Sequence, residues 1–340
     1  MSKRALITGI TGQDGAYLSH RLLALGYEVW GTTRYASLGS MGALETLGIA
    51  ADVPVLPVDF ESIPSLACAI QAAAPDEVYN LAAQSSVAKS FDEPTQTGEV
   101  TGLGAARLLH ALRQVKPDAR YYQASSSEVF GIAREVPQRE TTPFYPRSPY
   151  GAAKSYAHWM TVNYRESYGL FACNGILFNH ESPLRPEQFV TRKICAAVAR
   201  IKLGLQSELT LGNIEVARDW GFAGDYVAAM HLMLQQNEAE DFIIATGETH
   251  QLREFIDLAF KYVDLDYTKY VRTDMALYRP AEVNSVVGDS SKAQAKLGWK
   301  PRVSFEKLVE FLVEAEVKRA RGEGEKVDYF LPAALKMHGE

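Results

Sequence analysis

The sequence predicts an α/β fold: a doubly wound parallel sheet with helices on both faces, followed by a smaller C-terminal α/β domain. Three observations predict it. Short apolar runs alternate with helix-spaced stretches through the first half, a glycine-rich turn separates the first strand from the first helix, and the pattern changes after Asn179. The apolar runs are residues 5–8, 27–31, 54–58, 77–81, 121–125 and 173–178. Between them, 15–25, 63–73, 102–114 and 151–168 carry apolar residues at helical spacing. Strands joined through helices run parallel, because parallel neighbours need crossover connections that cover the sheet faces.

After Asn179 the chain reads differently. Loops carry Arg185, Arg192 and Lys193, then a helix over 194–203, a strand over 208–211 and a helix over 225–235. Residues 242–246 read as a late strand returning to the sheet. Helices over 252–263, 291–297 and 305–321 build the smaller domain. The expected division is 1–178 plus 214–246 for a nucleotide-binding domain and 179–213 plus 247–340 for a substrate-binding one. Residues beyond Phe330 read as a weakly ordered tail.

Composition narrows the function. The 340 residues are 47% hydrophobic and 22% charged, with a net charge of −6 and no basic block. That argues against nucleic acid as the main ligand, while leaving anionic small molecules open through local arginines. Cys68, Cys173 and Cys195 are scattered and lack a CxxC spacing, so they read as reduced core residues, neither disulfides nor metal ligands. The first strand begins by about Arg4 and no apolar run approaches a membrane span. The expectation is a soluble cytoplasmic protein that contacts no membrane.

The run Thr8-Gly9-Ile10-Thr11-Gly12-Gln13-Asp14-Gly15 follows the first strand and opens the first helix. This is the context of a Rossmann-like dinucleotide fingerprint. Gly9 permits the tight turn, Gly12 lets the backbone approach a pyrophosphate, and Gly15 allows close packing. The diphosphate would sit on the helix N-terminus, where free N–H groups and the dipole favour an anion. The end of the second strand should read the adenosine ribose, and it carries Arg34, nineteen residues after Gly15, with no carboxylate. Arginine suits a 2′-phosphate, which favours NADP over NAD. Asp59, past the third strand, is placed to accept from an adenine amino group, or simply to face solvent.

Gln123-Ala-Ser-Ser-Ser-Glu128 is followed 22 residues later by Tyr150-Gly-Ala-Ala-Lys154. Tyr150 and Lys154, at i and i+4, share a helix face. An ammonium that close favours the phenolate, so Tyr150 is expected to act as a base near neutrality. Ser126 can orient the same hydroxyl. Glu128 is the unusual member, because moving a hydride to or from an alcohol needs only serine, tyrosine and lysine. An added carboxylate implies a second proton transfer, such as removal of a proton beside a new ketone.

Longer motifs carry a resemblance. Asn80-Leu-Ala-Ala-Gln84-Ser85, Pro143-Phe-Tyr-Pro-Arg-Ser-Pro-Tyr150, Gly175-Ile-Leu-Phe-Asn-His-Glu-Ser-Pro183, Phe189-Val-Thr-Arg-Lys193 and Arg218-Asp-Trp220 resemble the GDP-mannose 4,6-dehydratase family of extended short-chain dehydrogenases. Arg279-Pro-Ala-Glu282-Val and Leu297-Gly-Trp-Lys-Pro301 extend the likeness into the C-terminal part. Departures from the family's usual residues fall at Ser126, commonly threonine, in the Arg34-Tyr35-Ala36 loop, and at Pro186, commonly glycine.

The resemblance implies catalytic roles for Ser126, Glu128, Tyr150 and Lys154. It places the cofactor against Gly9, Ile10, Thr11, Gly12, Gln13, Asp14, Arg34, Asp59 and Phe60. It adds Leu81, Ala82, Ala83, Gln84, Ser85, His180 and Arg185, with Tyr150 and Lys154. The GDP-sugar would lie on Ser85, Ser126, Asn179, Lys193, Arg218, Arg279 and Glu282. His180 serves equally well as a structural hydrogen-bonding residue. The implied reaction oxidises the sugar at C4 through NADP, eliminates water across C5 and C6, and reduces C6. A homodimer or homotetramer without a metal is implied as well. Open alternatives are a GDP-linked heptose as substrate, a 4-epimerase or 4-reductase activity that has no use for Glu128, and a silent NADP sensor, which would not need an intact Tyr–Lys pair.

Overall fold

Strand β1 (Arg4–Thr8) sits near the middle of a seven-stranded sheet in a computed structural model that describes residues 2–34, 41–278, 281–283 and 285–330. Residues 35–40, Arg279 and the expected tail beyond Phe330 lie outside the described residues. The other strands are β2 (Glu28–Arg34), β3 (Val55–Val58), β4 (Glu77–Asn80), β5 (Arg120–Ser126) and β6 (Ala172–Leu177). Two short strands, β7 (Asn179–Glu181) and β8 (Trp220–Phe222), pair with each other, and β9 (Phe242–Ile244) returns to the sheet beside β6. The order is β9-β6-β5-β4-β1-β2-β3, with every neighbouring pair parallel. The direction of winding reverses between β1 and β4, and ligands of such sheets bind in the crevice beyond the strand ends at that reversal.

Helices cover both faces because alternate strand residues face opposite sides. Leu6, Val78 and Tyr121 pack beneath α2 (Ile63–Ala73) and α3 (Gly104–Val115). Ala5, Ile7, Tyr79 and Tyr122 face the other way, in the core that also buries α1 (Gln13–Ala24). The 20-residue α4 (Pro149–Tyr168) is capped by Ser148, whose hydroxyl accepts from Gly151 N, and ends at Gly169 with φ +68°. The chain continues with α5 (Val190–Lys202), α6 (Ala223–Met233), α7 (Leu252–Tyr262), α8 (Ser291–Leu297) and α9 (Phe305–Ala320). Asp225 joins this C-terminal region to the sheet domain, accepting from Arg302 N and Nε, while its carbonyl accepts from Trp299 Nε1.

Two expectations need correction. Helix α5 begins at Val190, so Arg192 and Lys193 lie in its first turn and not in a loop. Cys68 is exposed, unlike buried Cys173 and Cys195, because Leu66, Ala69, Ile70 and Ala73 form the inward stripe of α2. Among the described residues, no helix is long and apolar enough to cross a membrane.

Candidate active site

The glycine-rich turn has the shape an anion requires. Gly9 holds φ +67°, and a Cβ there would lie 3.0 Å from the backbone of Ala82. A Cβ on Gly15 would meet the Ile10 backbone at 2.6 Å, which no side chain tolerates. Helix α1 is preceded by Gly12, which supplies no side-chain cap, so its first N–H groups remain available to a ligand. Thr8 Oγ1 accepts from Leu81 N and Ala82 N at 3.1 Å, fixing the loop after β4 against the glycine turn. Together these features fit a dinucleotide diphosphate.

The side chains of this turn are already committed. Asp14 Oδ2 lies 2.9 Å from His180 Nε2, and His180 Nδ1 lies 2.7 Å from Phe178 O. Gln13 donates to His180 O and accepts from Ser182 Oγ. Within the β4 loop, Gln84 spends its amide on Ser86 and Thr97, while Leu81, Ala83 and Ser85 line the cavity. Arg34 ends β2 in register with Val58, so its exposed side chain stands beside the strand end bearing Asp59. Asp59 Oδ1 accepts from Glu61 N, a local turn bond, and buried Phe60 packs under Gly104.

A cavity of about 430 Å³ opens beyond the strand ends and brings the four expected catalytic residues together. Ser126 ends β5, and its hydroxyl accepts from Glu128 N at 3.3 Å, starting the single turn that carries Glu128. Tyr150 and Lys154 enter from α4. The same cavity reaches Asn179, His180, Arg185, Lys193, Arg218 and Glu282. Arg218 Nη2 lies 3.2 Å from Glu282 Oε1, and Lys193 Nζ donates to Thr210 O at 2.9 Å. Arg279 falls outside the described residues.

The electrostatics differ from the expectation that Lys154 makes Tyr150 acidic. Burial pushes the phenol up to about 12, with Glu128 adding to the rise and Ser126 and Arg185 opposing it. Lys154 Nζ is 5.8 Å from the Tyr150 ring centroid and donates to Ala124 O at 2.7 Å. Burial brings its ammonium down to about 8. Lys154 therefore anchors the strand end, and the phenol needs a further positive charge nearby to become a base. Sequence reading passed over Glu181, a buried carboxylate on the cavity wall. It accepts from Thr191 Oγ1 at 2.7 Å and lies 3.4 Å from Arg185 Nε. Its only signal was a carboxylate four residues before an arginine.

Known proteins resemble the chain over nearly its whole length. The family model described as GDP-mannose 4,6 dehydratase matches residues 6–312. GDP-mannose 4,6 dehydratase 2 of Arabidopsis thaliana is 53% identical over 96% of this chain and 90% of its own length. GDP-mannose 4,6 dehydratase of Cricetulus griseus is 48% identical over 94% of this chain and 92% of its own. Among solved structures, RMD from Pseudomonas aeruginosa complexed with NADPH superposes with a TM-score of 0.77 at 25% identity, covering 93% of this chain and 100% of that one. With a family model spanning most of its length and full-length relatives near half identity, the chain belongs to the GDP-mannose 4,6-dehydratase family.

Proposed function

We propose that the chain converts GDP-D-mannose to GDP-4-keto-6-deoxy-D-mannose and water, using bound NADP. The observation that carries the reading is Glu128, on the turn capped by Ser126 and sharing one cavity with Tyr150 and Lys154. Gly9 to Asp14 and the loop Leu81–Ser85 would hold the dinucleotide, with Arg34 at its adenosine 2′ end. Bound there, the oxidised nicotinamide would bring a positive charge beside the phenol, take hydride from C4 and return it to C6. Lys193 and Arg218 supply positive charge for the GDP diphosphate on an otherwise acidic protein.

The proton steps then follow from the side chains. Tyr150, oriented by Ser126, takes the proton of the C4 hydroxyl. The ketone at C4 acidifies the C5 hydrogen, which Glu128 removes and passes to the departing C6 oxygen, releasing water. C5 takes up one proton at the end, which balances the one Tyr150 removed at the start. A 4-epimerase or 4-reductase leaves Glu128 without a task. Incubating the protein with GDP-mannose and measuring mass tests the reading: loss of one water is expected. A product of unchanged mass, or one lighter by two hydrogens only, would refute it.

A further inference from the structure

Helix α4 meets the catalytic strand end at three successive turns. At the first, a Cβ on Gly151 would lie 2.7 Å from the carbonyl oxygen of Glu128, so the helix backbone runs directly against that turn. At the second, Lys154 Nζ holds Ala124 O at 2.7 Å. At the third, His158 Nδ1 lies 3.2 Å from Ser125 Oγ. Tyr150, Lys154 and His158 follow one another at four-residue steps along a single helix face. The reaction above uses Tyr150, Lys154 anchors the strand end, and His158 is left unexplained.

We propose that His158, acting through Ser125, is a positioning residue that sets the separation between Tyr150 on the helix and Ser126 and Glu128 on the strand end. Ser125 and Ser126 are neighbours with divided duties. One hydroxyl is held by His158; the other meets Tyr150 and caps the turn of Glu128. The two groups that handle protons sit on different elements, so their separation depends on contacts that lock helix to strand. His158 and Ser125 are 4% and 3% exposed, too enclosed for water to replace their bond freely.

The surroundings of His158 give that bond a direction. Phe144 meets the ring edge-on at 4.8 Å, and Trp159 packs at 5.5 Å. Asp241, just before β9, places Oδ2 3.8 Å from Nε2 and is itself gripped by both terminal nitrogens of Arg165 at 2.8 and 3.0 Å. Burial brings the imidazole down to about 4, with Asp241 opposing and Arg165 reinforcing the shift. The ring is therefore neutral at pH 7, with one donor and one acceptor nitrogen. The carboxylate favours the proton on Nε2, which leaves Nδ1 to accept from the Ser125 hydroxyl.

This role rests on the dehydratase reading, and the test separates the two. The amide of asparagine falls where Nδ1 stood, whereas that of glutamine reaches toward the position of Nε2. Ser125→Ala and His158→Gln are expected to lower kcat for dehydration by about 10- to 100-fold, the range for misplaced reacting groups. KM for GDP-mannose should stay within about twofold, because His158 lies outside the cavity lining and the Ser125 hydroxyl is engaged by His158. His158→Asn should recover most of the rate. The double variant should lose no more than the worse single one, since both remove one bond. Amide hydrogen exchange over residues 124–130 should quicken in Ser125→Ala and His158→Gln. Equal rates for His158→Asn and His158→Gln, or additive losses, would overturn the proposal. If the unaltered enzyme releases no water, the dehydratase reading fails. Exchange then decides alone: unchanged exchange at 124–130 sinks the positioning role.

Discussion

Asp14 and His180 stand 166 positions apart in the chain and meet at 2.9 Å, carboxylate oxygen to imidazole nitrogen. The opposite ring nitrogen faces the Phe178 carbonyl at 2.7 Å, so both nitrogens face acceptors, an arrangement that favours the protonated ring. It lies stacked on Tyr226 at 4.6 Å. The pair ties the glycine turn to strand β7, whose other residues, Asn179 and Glu181, line the same cavity.

The pair sets a pH window for stability. Asp14 is brought down to about 2: burial alone would raise it, but the charge and hydrogen bond of His180 prevail. His180 is raised above its ordinary value by the same partner, against burial. The Asp14 contribution is present above its unfolded value near 3.8 and lost as pH falls toward 2. The His180 contribution is complete below 6.5 and lost as pH rises through its raised folded value. The pair is thus most stabilising between about pH 4 and 6.5. His180→Leu leaves the Asp14 charge without its partner and should cost on the order of 3 kcal/mol in that window. Melting curves of both proteins from pH 4 to 9 check this: the gap should narrow at high pH.

Glu128→Gln should separate the chemical steps. The amide preserves shape but cannot take the C5 proton, so C4 oxidation survives while elimination stops. Solvent deuterium uptake at C5 should fall with it, read by mass spectrometry of recovered nucleotide sugar. A Glu128→Gln variant that still releases water at the original rate would remove this carboxylate from the mechanism.

How much was legible in the sequence depended on how local each signal was. Helix α2 could be read because its apolar residues repeat at helical spacing; the structure adds Ser62 as its cap, accepting from Ser65 N. The helices Val87–Asp92 and Pro94–Thr97 are too short to show a stripe. Strand β7, Asn-His-Glu, has no strand-like composition and exists because Trp220–Phe222 pairs with it. In the site, the glycine turn and the Tyr150–Lys154 spacing were visible because each is fixed within a few residues. The Asp14–His180 bond and the rise of the Tyr150 phenol were not, since both come from tertiary burial. Sequence spacing brings Lys154 near Tyr150, but only the fold commits its ammonium to Ala124 O.

Tyr150→Phe should abolish oxidation and dehydration together, by about 10²- to 10⁴-fold, the usual contribution of a positioned acid–base group. GDP-mannose binding should change little, because the cations of the cavity lie elsewhere. Single-turnover measurement of C4 oxidation, alongside calorimetric binding, checks both halves. Retention of more than about a third of the turnover would be a loss below 1 kcal/mol, too small for the assigned proton transfer.

On the proposed reading, the choice of NADP over NAD would rest on Arg34 more than on any other described residue. It is the only cation between Arg21 and Lys89, and it ends β2 beside the strand that leads to Asp59. The second strand carries no carboxylate at that end to accept from a ribose 2′-hydroxyl, the usual NAD arrangement. A charge-assisted hydrogen bond to phosphate is worth roughly 1.5–3 kcal/mol. Arg34→Ala should therefore weaken NADP by about ten- to a hundred-fold and leave NAD nearly untouched. The side chain is exposed, so salt should erode the NADP advantage of the unaltered chain, and the variant should show a flatter salt dependence. Titrating both cofactors against both proteins at two ionic strengths decides the matter. Equal losses for NAD and NADP would mean that Arg34 supports the strand end and does not read the 2′-phosphate.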